Sequence, residues 1–238
     1  MESNAITARP VLPERPPGVK SALTYYEGEQ GVRYFARQNR GGLDQGRLEA
    51  WKFAPYVRPT DTVADFGCGS GALLASLDCA HRVGIEVNPA ACAEAARHNI
   101  EIHHDPRSAG AARAHVVISN HALEHVPSPF EALAALREIL MPGGRLVVCV
   151  PIDDWRTQRT FRPDDPDHHL YAWTPQLLGN LLAAAGFRVD SIRIVSRCFP
   201  PGWRRLFGRV PGPVFELLSF LSSVLLRRRQ LLAVATKA

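Results

Sequence analysis

Residues 62–72 read TVADFGCGSGA. Val63, Ala64 and Phe66 are apolar and suit a buried strand, and Asp65 breaks the run. Gly67, Gly69 and Gly71 follow at alternate positions, after which Leu73, Leu74 and Leu77 resume at helical spacing. The pattern predicts a strand, a tight glycine turn and the start of a helix. Glycine opens turn dihedrals closed to other residues and lets a ligand approach the backbone. The first turn of a helix presents free N–H groups. A flat, polar ligand lying across this turn is the expectation.

Two cofactor classes use such a turn. Gly67, Gly69 and Ala72 satisfy the loose G-x-G-x-x-G/A pattern of dinucleotide sites. S-adenosylmethionine is the other class. Residues 82–87, RVGIEV, read as the next strand, with Glu86 near its end, fifteen positions after Gly71. A carboxylate at the carboxyl edge of the strand beside the glycine turn can accept both hydroxyls of a ribose. Both classes demand it, so Glu86 supports a nucleoside ligand without choosing between them.

Further along, helices are expected over residues 47–57, 72–79, 90–99 and 130–140, and strands over 100–103, 115–120 and 145–150. Leu133, Leu136, Ile139 and Leu140 give the fourth helix one apolar side. The nearly continuous apolar run RLVVCV suits a strand covered on both faces. His121 and His125 stand one helical turn apart; two histidines without a third ligand are a weak metal signal, and no metal set is expected. Either can serve as a general base, His121 the better placed, or His125 can pack structurally. Residues 151–173 form a long polar excursion rich in Asp, Arg and aromatics, at the sheet edge where acceptors bind in open α/β folds. Asp153, Trp155, Arg156, His168, His169 and Tyr171 are its candidates, either for the acceptor or for pinning the loop. Thr174 and Pro175 open a helix that Gly186 stops. Residues 187–196 and 230–236 read as strands, and 214–226 as an amphipathic helix with Glu216, Ser219 and Ser223 on its polar side.

With 238 residues the chain suffices for one well-buried domain, placed at 21–238, behind a proline-rich flexible leader at 1–20. Residues 21–57 are assigned to an N-terminal cap and 198–229 to a basic, amphipathic insert. The five cysteines are scattered without C-x-x-C, which suits reduced thiols in a cytoplasmic setting. No apolar run is long enough to span a bilayer. Ten Lys or Arg stand against two acidic residues from position 188 onward, so the basic tail is either a solvated face or a partner for phosphate or an anionic membrane. Residues 214–229, an apolar helix followed by three arginines, have the pattern of a membrane-surface helix. The tail lacks the interleaved aromatics of a nucleic-acid platform.

D-F-G-C-G-S-G resembles motif I of the class I S-adenosylmethionine-dependent methyltransferases, an acidic residue followed by G-x-G-x-G. HALEHVPSP (121–129), LMPGGRLVVCVP (140–151) and DHHLYAWTP (167–175) are similar to segments of the UbiE-like members, also grouped as methyltransferase types 11 and 23. The likeness covers about residues 25–237. It implies a Rossmann-like α/β fold, with a seven-stranded, mostly parallel sheet, an antiparallel last strand beside the fifth, and helices on both faces. It further implies that Asp65, Gly67, Gly69, Gly71, Glu86, Asp105, Ser119 and Asn120 contact the cofactor. The cap, through Tyr25, Tyr26, Arg33 and Tyr34, would close over the cofactor.

The expected activity is in-line transfer of a methyl group from S-adenosylmethionine to a small-molecule, glycan or lipid-linked acceptor. His121, His168 and Asp153 are the base candidates, and Tyr26, Arg33, Trp155, His169 and Tyr171 the substrate-binding ones. No nucleic-acid acceptor is expected, since N-H-A-L follows the fourth strand. Two alternatives remain open: an NAD(P)-dependent oxidoreductase, weakened because no lysine stands four after a tyrosine, and a non-catalytic cofactor-binding protein.

Overall fold

The computed structural model describes residues 25–154, 156, 158–163 and 165–238. The expected leader, and Trp155 with its substrate role, lie outside these residues. Two helices precede the sheet, α1 (Gly28–Gln38) and α2 (Gly42–Ala50). There follow β1 (Thr62–Phe66), α3 (Ala72–Ala75), β2 (His81–Ile85), α4 (Pro89–Ala96), β3 (Glu101–His103) and β4 (Ala114–Asn120). Then come α5 (Pro129–Ile139), β5 (Leu140–Ile152), α6 (Pro175–Ala184) and β6 (Phe187–Val195). Short α7 (Trp203–Leu206), α8 (Gly212–Leu225) and β7 (Arg229–Lys237) complete the chain.

The strands make one seven-stranded sheet in the order β3-β2-β1-β4-β5-β7-β6. All pairings are parallel except those of β7, which runs antiparallel between β5 and β6. Strand alternation sorts the apolar residues onto two faces. Val117, Leu146, Val148, Val150, Leu231 and Ala233 face α5 and α6 through Leu133, Leu136, Leu178 and Leu182. Val116, Ile118, Val147, Cys149, Leu232 and Val234 join Phe53, Leu73, Leu74 and Ala95 on the other side. Chain direction across the sheet reverses between β1 and β4, so the crevice at their carboxyl ends is where an open α/β sheet takes its ligand.

Helix starts follow the sequence signals. Thr174 Oγ1 accepts from Leu177 N at 3.2 Å, with Pro175 at the first helical position. Asn88 Oδ1 accepts from Ala90 N and Ala91 N at the head of α4. Two expectations are corrected. The helix expected over 47–57 ends at Ala50, and a separate 3-10 turn, Ala54–Tyr56, begins over Pro55, whose missing N–H cannot continue the earlier ladder. In α8 the polar side is reversed: Ser219 and Ser223 are buried, whereas Leu217, Phe220, Leu221, Val224 and Leu225 are exposed. Small serines let the helix approach the rest of the chain closely. Ser223 Oγ donates to Arg228 O at 2.6 Å, and Ser219 O accepts from Cys198 N at 3.4 Å.

Candidate active site

The glycine turn bends at the carboxyl end of β1 through three positive φ angles, 74° at Gly67, 54° at Gly69 and 74° at Gly71. A side chain at Gly67 would meet Ala122 Cβ at 2.4 Å, whereas one at Gly69 would stand in open space. The middle glycine therefore forms the floor of an open cradle, and the outer two let neighbouring segments close in. Glu86, just past β2, ties the cradle to the second strand. Its Oε2 accepts from Gly69 N at 2.9 Å, and its Oε1 from Val87 N and Asn88 N, both at 2.8 Å. Burial raises its pKa against these three donors.

Asp65 is buried at the end of β1, and its Oδ1 has no hydrogen-bond partner among the described residues. Burial, reinforced by the Glu86 charge, pushes its pKa up to about 8. An orphaned buried carboxyl is costly, so it marks a place where a cationic, hydrogen-bonding group belongs. Asp65, Gly67, Gly69, Gly71 and Glu86 are thus brought together at the carboxyl ends of β1 and β2.

The other implied cofactor contacts divide. Ser119 is buried and its Oγ unpartnered among the described residues. Asp105 takes the turn role: its Oδ1 accepts from Arg107 N at 2.7 Å at the head of the 3-10 turn Pro106–Ala109. Asn120 is committed elsewhere, accepting from Lys52 Nζ at 2.9 Å and donating to Glu49 Oε2 at 3.3 Å. Lys52 also donates to Gln230 Oε1 at 2.7 Å and pairs with Glu49. Although burial opposes both charges, their mutual attraction raises the Lys52 pKa and lowers that of Glu49. Sequence reading missed this pair, because a lysine between Trp51 and Phe53 looks like any surface cation.

A second constellation lies past β4. Glu124 is fully buried in the 3-10 turn Leu123–His125, and neither carboxylate oxygen accepts a hydrogen bond among the described residues. Its Oε1 lies 3.5 Å from His121 Nδ1 and 3.9 Å from His125 Nε2. Burial opposes its charge, but these two rings outweigh it and hold the carboxyl below its ordinary range. Leu170 N donates to Glu124 O at 2.8 Å, which draws the loop after β5 alongside. On that loop His169 Nδ1 pairs with Asp153 Oδ2 at 2.8 Å. His169 and His125 meet edge to face with centroids 5.0 Å apart. Nothing in the residue spacing separated Glu124 from an ordinary exposed glutamate.

The cap covers both constellations. Asn88 Nδ2 donates to Gly31 O at 2.8 Å and anchors α1 beside β2. At the other side Arg37 pairs with Asp167 at 3.3 Å, and Tyr25 donates to Asp165 O and Pro166 O at 3.3 Å. Tyr26 and Tyr34 pack edge to face with each other and with His125. Burial raises the pKa of both phenols, with Glu124 and Glu86 adding to the effect.

The base candidates are held in other ways. On His121, at φ 56°, burial opposes charge, but Cys149 and Glu124 outweigh it and push the pKa up to about 10. That raised pKa, with Nε2 3.2 Å from Gln230 Oε1, favours the protonated ring over a free base. His168 stacks flat on Tyr25 at 4.2 Å, and Asp153 is occupied by His169. Arg33 pairs with Glu29 in solvent at 3.4 Å, and Tyr171 donates to Pro127 O at 2.7 Å. The loop-pinning alternative describes His168 and Tyr171 well.

A strand order that reverses at a glycine cradle, with acidic groups at the ends of β1 and β2, makes a nucleoside-type site, and the antiparallel β7 seated between β5 and β6 is the last strand expected of a class I methyltransferase fold. A family model described as a methyltransferase domain (Methyltransf_23) matches residues 35–192. The chain belongs to this family of class I S-adenosylmethionine-dependent methyltransferases. No curated protein matches it significantly by sequence. Among solved structures it is similar to a methyltransferase of Thermotoga maritima described as a possible histamine N-methyltransferase, at 15% identity and TM-score 0.61, covering 92% of this chain and 100% of that one. A methyltransferase of Archaeoglobus fulgidus shares 18% identity with TM-score 0.60, covering 87% and 99%. Geranyl diphosphate C-methyltransferase of Streptomyces coelicolor A3(2) shares 15% with TM-score 0.57, covering 89% and 83%.

Proposed function

We propose that this methyltransferase holds S-adenosylmethionine across the glycine cradle and methylates an amphiphilic, lipid-linked acceptor drawn from the small-molecule, glycan and lipid-linked classes. The carrying observation is the buried, unpartnered Asp65 oxygen beside the cradle. Bound there, the cofactor supplies an electrophilic sulfonium methyl. Asp65 ionises against its ammonium group. Glu86 already accepts three N–H bonds, and a carboxylate has about four acceptor sites, so one site would remain for a ribose hydroxyl. Tyr26 and Tyr34 exclude water from above.

Two features support the lipid-linked acceptor. A cleft of about 530 Å³ is lined by Ile152, Asp153, Asp154, Arg156, Val224, Arg227 and Arg229, so it joins the end of β5 to the end of α8. Arg156 and Arg227 pair with Asp154, at 3.2 and 4.0 Å, and the three arginines of the lining outnumber its two aspartates, which supports an anionic headgroup. The outward apolar face of α8, with Arg227–Arg229 at its end, suits a membrane surface. No helix among the described residues is long and apolar enough to cross a membrane, so the contact would be peripheral. Calorimetry with S-adenosylhomocysteine, NAD and NADP is expected to give binding to the first alone; NAD binding would return the oxidoreductase reading. Labelled cofactor with cell extract is expected to mark the organic-phase fraction, and label confined to aqueous metabolites overturns the lipid-linked acceptor. Leu217→Ser with Phe220→Ser is expected to abolish sedimentation with anionic vesicles at unchanged melting temperature.

A further inference from the structure

We infer that Glu124, His125 and His169 form a binding site for one divalent transition-metal ion. One ligand atom from each of these residues lies within 4.8 Å of those of the other two. In a tetrahedral site with bonds near 2.0–2.1 Å, ligand atoms are about 3.3 Å apart. The Glu124–His125 pair is at 3.9 Å, so small side-chain rotations close the site around an ion.

Three independent features prepare these groups as ligands. The Glu124 carboxylate is fully buried, and neither oxygen accepts a hydrogen bond among the described residues. Such a group is costly unless cations meet it; His121 lies 3.5 Å from Oε1, yet both oxygens are left without a hydrogen bond among the described residues. His169 has one ring nitrogen fixed by Asp153 at 2.8 Å, the carboxylate–histidine arrangement that orients metal-binding imidazoles. His125 Nδ1 lies 3.5 Å from the His168 carbonyl, which leaves Nε2 on the Glu124 side. The backbone bond from Leu170 to Glu124 locks the two segments in this register.

Two imidazoles and one carboxylate favour a borderline ion such as Zn²⁺, Co²⁺ or Fe²⁺ over Mg²⁺ or Ca²⁺, which prefer all-oxygen sets. Three protein ligands leave a coordination position open, and the Tyr26 and Tyr34 rings pack edge to face on His125 beside the site. That position suits an oxygen or nitrogen of a small ligand.

The test uses the full-length, chelator-treated protein with Co²⁺ or Zn²⁺ alone. One ion per chain is expected, with a Co²⁺ visible spectrum of low coordination number that excess Mg²⁺ leaves unchanged. His169→Ala is expected to weaken Zn²⁺ binding at least 100-fold, and Asp153→Asn, which keeps all three ligands, about 10–100-fold. His81→Ala, on an exposed histidine, is expected to bind as the wild type does. Absence of stoichiometric binding overturns the inference. So does wild-type affinity in both His169→Ala and Asp153→Asn, or displacement of Co²⁺ by Mg²⁺. S-adenosylhomocysteine calorimetry on the same samples keeps the outcomes apart: a chain that binds the nucleoside but no ion refutes the metal site alone.

Discussion

Cofactor binding should expel a proton from Asp65. In the free protein burial and the Glu86 charge hold this carboxyl at about 8, so at pH 6.5 about 97% of molecules carry the proton. A ligand α-amino group, with an ordinary pKa of about 7.7–8.0, is already cationic there. Placing that cation beside Asp65 favours the ionised carboxyl, so close to one proton leaves per binding event. At pH 9 only about 9% of Asp65 is protonated, while about nine-tenths of the ligand amine is neutral and must take up a proton, so net release gives way to net uptake. The sign follows from linkage: below pH 7.5 the complex binds fewer protons than its free components, so affinity rises by about tenfold per unit, and above about 8 it falls again as the free amine loses its proton. Calorimetry of S-adenosylhomocysteine in buffers of different ionisation enthalpy reads the proton count directly. Asp65→Asn should bind more weakly, with no release and no slope below pH 7.5. Wild type that exchanges no proton at pH 6.5, or an Asn variant that still does, refutes the role given to Asp65.

The same group makes a stability prediction. Its folded pKa is raised above its ordinary value of 3.8, so the contribution is complete below pH 4 and is lost as pH rises toward 8, by at most about 1.4 kcal/mol per pH unit. Without ligand, Asp65→Asn should therefore gain on the wild type in urea melts run from pH 5 to 8; parallel curves would argue against a buried protonated carboxyl. Gly67→Ala, with its methyl 2.4 Å from Ala122 Cβ and a positive φ, should cost about 3 kcal/mol. Gly69→Ala should cost only about 1–2 kcal/mol, yet lose nucleoside affinity, because its methyl stands in the open cradle; equal melting temperatures for the two variants would contradict the packing. Lys52→Met should destabilise by about 3–5 kcal/mol by stranding Glu49. Adding Glu49→Gln should restore part of this, and failure of the double variant to recover would show that the pair acts through something other than charge.

The sheet was legible because its signals are local and periodic. The β1 run and its three glycines, the Asn88-Pro89 and Thr174-Pro175 helix starts, and the apolar run of β5 each specify their own geometry. The cradle residues followed for the same reason. What eluded the sequence depends on partners distant along the chain. Asn120 turns toward Lys52, 68 residues away. Glu124 is tied by its carbonyl to Leu170 N, 46 residues on, and His169 meets Asp153 across 16 residues. In α8 the pattern gave the period of the amphipathic helix but not which side the protein would keep, since a serine face can pack closely as well as face water.

The position of β7 bears on how the chain assembles. This strand occupies the slot between β5 and β6, and Gln230 at its start meets Lys52 across 178 residues. During synthesis from the N-terminus, the whole nucleoside-binding half can collapse while that slot is still vacant. Until the final strand emerges, β5 and β6 each present a raw edge, the kind of template that recruits foreign strands. Loss of the last few residues would thus be felt less as damage to the cradle than as insolubility.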